Sequence, residues 1–294
     1  MTACVFALPG NEPLAAALAA QTSLQEGALT LSQFPDGETL VRIESDVRGK
    51  NAVVVCSLDR PNAKILPLYF VARTLREFGA TRVWLVAPYL AYMRQDQQFH
   101  SGEAVTANQF ADWLSGFLDG IVTVDPHLHR IHSLNEIYAI RSHVVAAAPA
   151  ISAWIAQNVR SPLLIGPDTE SEQWVRDVAR GANAPFIVLE KRRLSDTKVD
   201  ISIPQLPLHS DRSPVLLDDI ISTGHTMIAA TKRLTELGAP PPVCIGVHGI
   251  FAGRAYEELA GAHVAAIATC NTIAHRTNAI DVHPLIAQTL AQLL

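Results

Sequence analysis

Short runs of apolar, mostly β-branched residues alternate along the chain with segments in which apolar residues recur every three or four positions. Continuous apolar runs are typical of parallel strands buried on both faces, and the longer period is typical of helices packed against them. The predicted strands are 52–58, 82–88, 120–125, 163–167, 186–189, 215–217, 243–247 and 265–268. The predicted helices are 64–78, 107–117, 172–180 and 227–237. This alternation predicts an α/β fold.

The two halves of the chain resemble each other. Leu75-Arg-Glu-Phe-Gly-Ala80 and Leu234-Thr-Glu-Leu-Gly-Ala239 are separated by 159 positions, and the same shift lays Leu58-Asp59 over Leu217-Asp218. Strand, acid, loop, helix and Gly-Ala turn therefore recur in the same order, which predicts two similar βαβ units in tandem. A match this short can also arise by chance. Only the second copy has a loop rich in hydroxyl groups, so we expect the ligand loop in the second half.

The length of the chain is sufficient for two domains. It has 294 residues, of which 49% are hydrophobic, and domains commonly contain roughly 150 residues. We predict an N-terminal domain over 1–147 and a C-terminal domain over 148–280. We expect the remaining segment, 281–294, to form a helix that packs back on the N-terminal domain.

Charge and composition argue against several classes of partner. The formal net charge is −5, and duplex nucleic acid requires a clustered basic face. The uncharged run 142–159 contains Pro149 and falls short of a membrane span of about 20 apolar residues. The first residues lack the basic start of a secretory signal, so we expect a cytoplasmic protein. The cysteines at positions 4, 56, 244 and 270 lie in separate apolar segments, which favours buried free thiols over a zinc site.

The segment 215–230 joins an apolar strand to two acids, a hydroxyl-rich loop and a helix. Asp218 and Asp219 end the predicted strand, where open α/β sheets bind ligands. The loop that follows leads into a helix N-terminus, which is a natural anion site; its residues are Ser222, Thr223, Gly224, His225 and Thr226. The carboxylates would repel phosphate alone, so the ligand should also carry hydroxyl groups or a metal ion. The alternative is a Ser/Thr helix cap behind two surface acids.

Seven motifs, distributed over nearly the whole chain, accompany this loop. They are Phe34-Pro-Asp-Gly-Glu38, Asp59-Arg-Pro-Asn62, Pro88-Tyr-Leu-Ala-Tyr-Met-Arg-Gln-Asp96, Val124-Asp-Pro-His127, Gly166-Pro-Asp168, Glu190-Lys-Arg-Arg193 and Thr277-Asn-Ala-Ile-Asp-Val282. The loop resembles the phosphoribosyl-binding loop of the type I phosphoribosyltransferase fold. With the other motifs, the chain resembles the ribose-phosphate pyrophosphokinase (PRPP synthetase) family. The resemblance implies two tandem phosphoribosyltransferase-like domains, each a mainly parallel sheet flanked by helices.

The resemblance also implies a reaction, a cofactor and an assembly. The substrates would be ATP and ribose 5-phosphate, the products AMP and 5-phosphoribosyl diphosphate, and the cofactor Mg²⁺. A homo-oligomer, either a dimer or a multiple of dimers, is implied because the family's Phe-Pro-Asp-Gly-Glu loop reaches into a neighbouring subunit. Vicinal hydroxyls on the ribose would account for the two acids beside the phosphate loop.

The resemblance assigns candidate roles to individual residues. The ATP site would contain Phe34, Asp36, Glu38, Arg94, Gln95 and Asp96. The ribose 5-phosphate site would contain Asp168, Asp218, Asp219, Ser222, Thr223, Gly224, His225 and Thr226. Lys191 and Arg193 would stabilise the transferring diphosphoryl group, and His127 and Asp168 would lie at metal positions.

The residues themselves leave simpler alternatives open for these motifs. A guanidinium such as Arg94 suits phosphate oxygens and an amide such as Gln95 can bind a base edge, but polar loops are also common without function. Pro-Asp-Gly-Glu is by itself an ordinary turn, and the basic pair at 191 and 193 could be a solvated turn. His127, His129 and His132 could be structural, since no further metal ligand is evident.

Some positions depart from the family pattern. His225 stands where a second glycine is usual, Gln97 where a basic residue is common, and Ile140 where an acid is expected. Two other functions therefore stay open: a non-catalytic paralogue that binds nucleotides and regulates a partner, and a phosphoribosyltransferase that consumes the diphosphate. Retention of Arg94, His127 and the basic pair together disfavours the first, and the duplicated architecture with its ATP-type segment disfavours the second.

Overall fold

The computed structural model describes residues 3–168, 171–193, 199–202 and 212–294, with the backbone alone described for 190–193 and 199–202. The chain divides into two compact units. Unit 1 comprises Met1–Ala146 and His283–Leu294, and unit 2 comprises Ala147–Val282. Among the described residues, each unit contains a six-stranded sheet and a separate two-stranded hairpin.

Unit 1 is built on a parallel sheet. Its elements are β1 (Ala3–Ala7), α1 (Glu12–Gln21), β2 (Gln25–Glu26), β3 (Leu29–Gln33), β4 (Thr39–Ile43), β5 (Asn51–Val55), α2 (Ile65–Glu77), β6 (Arg82–Ala87), α3 (Thr106–Ser115), β7 (Gly120–Val124) and β8 (Arg141–Val145). The strand order is β2-β1-β5-β6-β7-β8, with every neighbouring pair parallel. The strands β3 and β4 form an antiparallel hairpin.

Unit 2 has the same plan. Its elements are α4 (Ala148–Asn158), β9 (Pro162–Gly166), α5 (Glu172–Gly181), β10 (Phe186–Val188), β11 (Glu190–Arg193), β12 (Val199–Ser202), β13 (Ser213–Ile221), α6 (His225–Glu236), β14 (Val243–Gly249), α7 (Ala255–Ala260), β15 (Ala266–Cys270) and β16 (Asn278–Ile280). The parallel order is β10-β9-β13-β14-β15-β16, and β11 pairs with β12 antiparallel. The last helix, α8 (His283–Leu293), contacts α1, β7 and β8 of unit 1.

The internal repeat extends to hydrogen bonds. The N–H of Ala80 donates to the carbonyl of Leu75 at the end of α2, and the N–H of Ala239 donates to that of Leu234 at the end of α6, both at 3.0 Å. Gly79 and Gly238 make these turns with φ of 94° and 75°, a region in which glycine is favoured. The predicted fold class, with two similar parallel-sheet units flanked by helices, is confirmed.

Each sheet has a core formed by its central strands and the apolar faces of its helices. All of β5 is buried, and α2 contributes Leu68, Val71, Ala72 and Leu75, which share one face of the helix. The four cysteines are buried and free, as predicted, and burial raises the pKa of Cys56 and of Cys244 to about 12. Within the described residues, no helix is both long and apolar enough to cross a membrane.

Several elements lack the sequence signal that located the others. The hairpin β3–β4 has no fully buried residue before Ile43, so neither strand has the continuous apolar run that marked the sheet strands. Helix α1 is dominated by alanine and leucine and has no distinct polar face, which hides its period. Strand β13 is longer than predicted because it continues through the two acids to Ile221. The apolar run 215–217 indicated only the part of this strand that is buried on both faces of the sheet.

Candidate active site

The acidic pair lies on a part of β13 that extends beyond its neighbour. The ladder between β13 and β9 ends at Leu216 opposite Ile165, whereas the ladder with β14 continues to Ile221. Asp218 and Asp219 lie on this extension and are half-buried. The carboxyl edge of the unit 2 sheet therefore has a step beside the two acids. Open α/β sheets bind ligands at this edge.

The two carboxylates are not equivalent. Successive side chains of a strand point to opposite faces, and both residues belong to β13. The N–H of Asp219 donates to Oδ1 of Asp218 at 3.0 Å. We therefore expect the two acids to have unequal roles towards a ligand that approaches from one side.

Backbone hydrogen bonds from the residues after β14 hold the start of the loop that follows β13. The N–H groups of Ile250 and Phe251 donate to the carbonyl of Ile221, and that of Ala252 donates to Ser222, each at 3.0 Å. Gly224 is buried at the N-terminus of α6 with φ of 72°. The loop thus leads into a helix N-terminus in a fixed conformation, as an anion site requires.

The left-handed backbone of this loop is confined to Gly224. His225 is the first residue of α6 and is exposed, so its departure from the family pattern introduces no left-handed backbone. A Cβ on Gly224 would lie 3.6 Å from the carbonyl oxygen of Ala255, an ordinary contact. Among the other loop residues, Ser222 and Thr226 are half-buried and Thr223 is exposed.

Asp168 lies at the same edge of the sheet, after the end of β9. It is half-buried, its Oδ1 accepts from the N–H of Ser171 at 3.2 Å, and its carbonyl accepts from the Ser171 hydroxyl at 2.7 Å. Because β9 and β13 are adjacent and parallel, Asp168 and the acidic pair follow neighbouring strands. The structure therefore brings the predicted ribose-side residues to one edge of unit 2.

The basic pair belongs to a hairpin rather than to the end of β10. The N–H of Leu189 donates to the carbonyl of Gly166 at 2.9 Å, and β11 begins at the next residue. Lys191 is opposite Ile201 and Arg193 is opposite Val199 in the pairing with β12. The hairpin leaves from the edge where Asp168 lies, and β12 contacts α6. The predicted closing loop, 194–198, is outside the described residues.

The predicted ATP residues after β6 differ in their surroundings. Arg94 is exposed. The side-chain oxygen of Gln95 accepts from the hydroxyl of Thr106 at 2.9 Å. Asp96 has a side chain only 3% exposed and binds Nη1 of Arg130 at 3.0 Å. The three consecutive residues therefore present an exposed cation, an anchored amide and a buried, paired carboxylate.

The histidines lie in the loop after β7. His127 is half-buried, and its ring centroid is 6.4 Å from that of His129, with 26° between the planes. His132 donates its backbone N–H to Glu136. Among the described residues, no group of three or more His, Cys, Asp or Glu side chains could hold a metal ion. Magnesium often uses one or two carboxylates together with water and substrate phosphates, so a magnesium site does not require three protein ligands.

The turn between β3 and β4 is ordered and exposed. The N–H of Phe34 donates to the carbonyl of Glu38, and that of Gly37 donates back to Phe34, both at 2.8 Å. The carboxylate of Asp36 accepts from the N–H of Glu38 at 3.1 Å. Phe34 is 49% exposed. An aromatic side chain at the tip of a hairpin is thus available for contact with another surface.

Known proteins identify the family. Residues 3–117 match the N-terminal domain of ribose phosphate pyrophosphokinase, and residues 133–285 match the phosphoribosyl transferase domain. A ribose-phosphate pyrophosphokinase of Halobacterium salinarum is 34% identical over 285 residues, covering 95% of this chain and 98% of the relative. The chain belongs to the ribose-phosphate pyrophosphokinase family. Another member, from Sulfurisphaera tokodaii, is 32% identical over 262 residues, covering 87% of this chain and 89% of the relative.

A solved structure of similar fold supports the architecture. The phosphoribosylpyrophosphate synthetase of Mycobacterium smegmatis superposes with a TM-score of 0.86 at 23% identity, covering 100% of this chain and 99% of that chain. At this identity the similarity shows the fold. The family predicted from the motifs is confirmed, and the two-unit plan is that of the ribose-phosphate pyrophosphokinase fold.

Proposed function

We propose that this chain transfers the β,γ-diphosphoryl group of ATP to the C1 hydroxyl of ribose 5-phosphate, giving 5-phosphoribosyl diphosphate and AMP. The observation that carries this proposal is the similarity to ribose-phosphate pyrophosphokinases over nearly the whole chain. Both units are matched, so the chain has the parts needed for two substrates.

Unit 2 would bind ribose 5-phosphate. The loop 222–226 offers backbone N–H groups and hydroxyls to the 5-phosphate at the N-terminus of α6. One or both of Asp218 and Asp219 would accept hydrogen bonds from the ribose hydroxyls, directly or through the cation. Asp168 follows the adjacent strand and would lie on the metal side of the sugar. These roles are compatible with the half-buried positions of the three acids.

Unit 1 would bind ATP. The exposed guanidinium of Arg94 suits phosphate oxygens. The carboxamide oxygen of Gln95 is used by Thr106, so its NH₂ group is the part suited to an acceptor on the base. Phe34, Asp36 and Glu38 would complete the adenine pocket of a neighbouring subunit, which requires a homo-oligomer. The exposed aromatic at the β3–β4 tip supports this assignment.

The proposed reaction is a substitution at the β-phosphorus. The C1 oxygen forms a bond to the β-phosphorus, the bond from that phosphorus to the α,β-bridging oxygen breaks, and AMP leaves with the bridging oxygen. The proton of the C1 hydroxyl is released.

Lys191 and Arg193 would stabilise the charge on the transferring group, and the reaction depends mainly on positioning and charge neutralisation. Two magnesium positions would supply further positive charge: one beside the ATP phosphates, with His127, and one on the ribose side, near Asp168. Action in the cytoplasm stays a prediction.

One assay distinguishes this proposal from its alternatives. Purified protein is incubated with ATP, ribose 5-phosphate and MgCl₂, and AMP and 5-phosphoribosyl diphosphate are quantified by phosphorus NMR. We expect both products in equal amounts, and neither when any one component is omitted. ATP binding without products would indicate the non-catalytic paralogue. Consumption of 5-phosphoribosyl diphosphate with a free base, and no reaction of ATP, would indicate a phosphoribosyltransferase.

A further inference from the structure

One side chain ties together the two loops that carry the proposed ATP residues. Arg130 follows β7, three positions after His127, and Asp96 lies in the loop after β6. Nη1 of Arg130 donates to Oδ1 of Asp96 at 3.0 Å and approaches Oδ2 at 3.4 Å. The backbone N–H of Arg130 also donates to Oδ2 at 3.2 Å. Both carboxylate oxygens are therefore engaged, across 34 positions of sequence.

This contact makes Asp96 poorly suited to bind ATP directly. Its side chain is only 3% exposed, and its carboxylate is already paired with the Arg130 guanidinium. The ring of His129 packs beside the same carboxylate, with Nδ1 4.0 Å from Oδ2. Through this contact, Asp96 holds the loop after β6 against the loop after β7.

We propose that Arg130 is a positioning residue for ATP, which acts through Asp96 to fix the loop of Arg94 and Gln95 relative to the loop of His127. The inference rests on the proposed function. Met93 is buried, Gln95 is anchored to Thr106, and Asp96 is anchored to Arg130. The backbone on both sides of Arg94 is thus restrained while its side chain stays exposed. Pre-ordering of this kind lowers the entropy lost when a ligand binds.

The chemistry of this position favours arginine. The Cζ of Arg130 lies 5.7 Å from the ring centroid of Phe99, which is 53% exposed and belongs to the same loop as Asp96. A planar guanidinium can bind a carboxylate with its edge while its face lies over a ring. A lysine at this position would keep the charge but lose the planar group that lies over the ring.

The test compares Arg130→Ala, Arg130→Lys, Asp96→Asn and the double variant Asp96→Asn/Arg130→Ala with the wild type. The matched control is Arg176→Ala, because Arg176 also pairs with a carboxylate, Glu172 at 2.5 Å, and lies over a ring, Phe186 at 5.8 Å, but is in helix α5. The measurements are ATP and ribose 5-phosphate dissociation constants by calorimetry, KM for each substrate, kcat and thermal stability.

We expect Arg130→Ala to weaken ATP binding and raise the KM for ATP by roughly tenfold, because the loop of Arg94 must then be ordered at the expense of binding free energy. Ribose 5-phosphate binding should change less than about twofold, kcat less than about threefold, and Arg130→Lys should recover part of the loss. The double variant should be little worse than either single variant, because both remove one contact. Arg176→Ala should behave as the wild type towards both substrates.

Other results would overturn the inference. Wild-type ATP affinity in Arg130→Ala, equal losses for both substrates, or additive losses in the double variant would each show that Arg130 does not position the ATP loop through Asp96. A wild type that neither binds ATP nor forms AMP would remove the proposed function and this inference together. A wild type that forms AMP while the Arg130 variants match it would remove this inference alone.

Discussion

Replacement of Gly224 by alanine tests whether the loop conformation before α6 matters for binding ribose 5-phosphate. Gly224 has φ of 72°, and an L-residue in the left-handed region costs roughly 1–2 kcal/mol. An added Cβ would lie 3.6 Å or more from its nearest neighbours, so we expect no steric clash in addition. In the folded state, the effect of Gly224→Ala should therefore come from backbone strain alone.

The strain can appear in two measurable quantities. If the loop keeps its conformation, the free energy of unfolding falls by about 1–2 kcal/mol, or about 3–8 °C in Tm for a unit of this size. If the loop relaxes in the ligand-free protein instead, the free energy of unfolding falls less, and binding of ribose 5-phosphate must restore the strained conformation. The affinity for ribose 5-phosphate then falls by up to about 5–30-fold, since 1.4 kcal/mol corresponds to tenfold. The two losses together should equal the strain.

Gly238→Ala provides the calibration. Gly238 follows the other end of the same helix with φ of 75°, and nothing lies within 4 Å of an added Cβ. The gain from a less flexible unfolded chain is common to both variants and cancels in the comparison. Denaturant unfolding and calorimetry with ribose 5-phosphate should show a stability loss alone for Gly238→Ala, and for Gly224→Ala a combined loss of about the same size. A Gly224→Ala protein that matches the wild type in both measurements would refute this reasoning.

Three further predictions concern the other proposed residues. Lys191→Ala and Arg193→Ala should each lower kcat by about a thousandfold with modest changes in substrate affinity; a rise in KM with kcat preserved within about tenfold would contradict a catalytic role. Asp218→Asn and Asp219→Asn should differ in ribose 5-phosphate affinity by at least about threefold and leave ATP affinity nearly intact, because adjacent strand residues face opposite ways; calorimetry showing equal losses would contradict this. Phe34→Ala should weaken ATP binding in an oligomer that sedimentation shows to be intact, and a monomer with full turnover would exclude the shared site.

The sequence was sufficient to predict the fold and the positions of the acids. Strand β13 illustrates why: a parallel strand covered on both faces is typically continuously apolar, so the run 215–217 marked its buried part, although the strand continues through the two half-buried acids to Ile221. The equivalent turns at Gly79 and Gly238 likewise revealed the repeat, because a left-handed turn after a helix favours glycine wherever it occurs. Motifs then indicated the family, which the relatives confirm.

The tertiary structure decided which polar groups meet. Nothing local to Asp96 or Arg130 predicts their pairing, and the carbonyls of Ile221 and Ser222 are bound by a loop that follows a different strand. The hairpin of Lys191 also lacked a signal, because its ladder is made by backbone groups that every residue carries. The spacing of apolar residues along a helix or strand indicates which of its faces is buried, and this spacing can be read from the local sequence alone. The partners of a polar side chain depend on which loops converge at the edge of a sheet, and that is set only when the strands have been ordered.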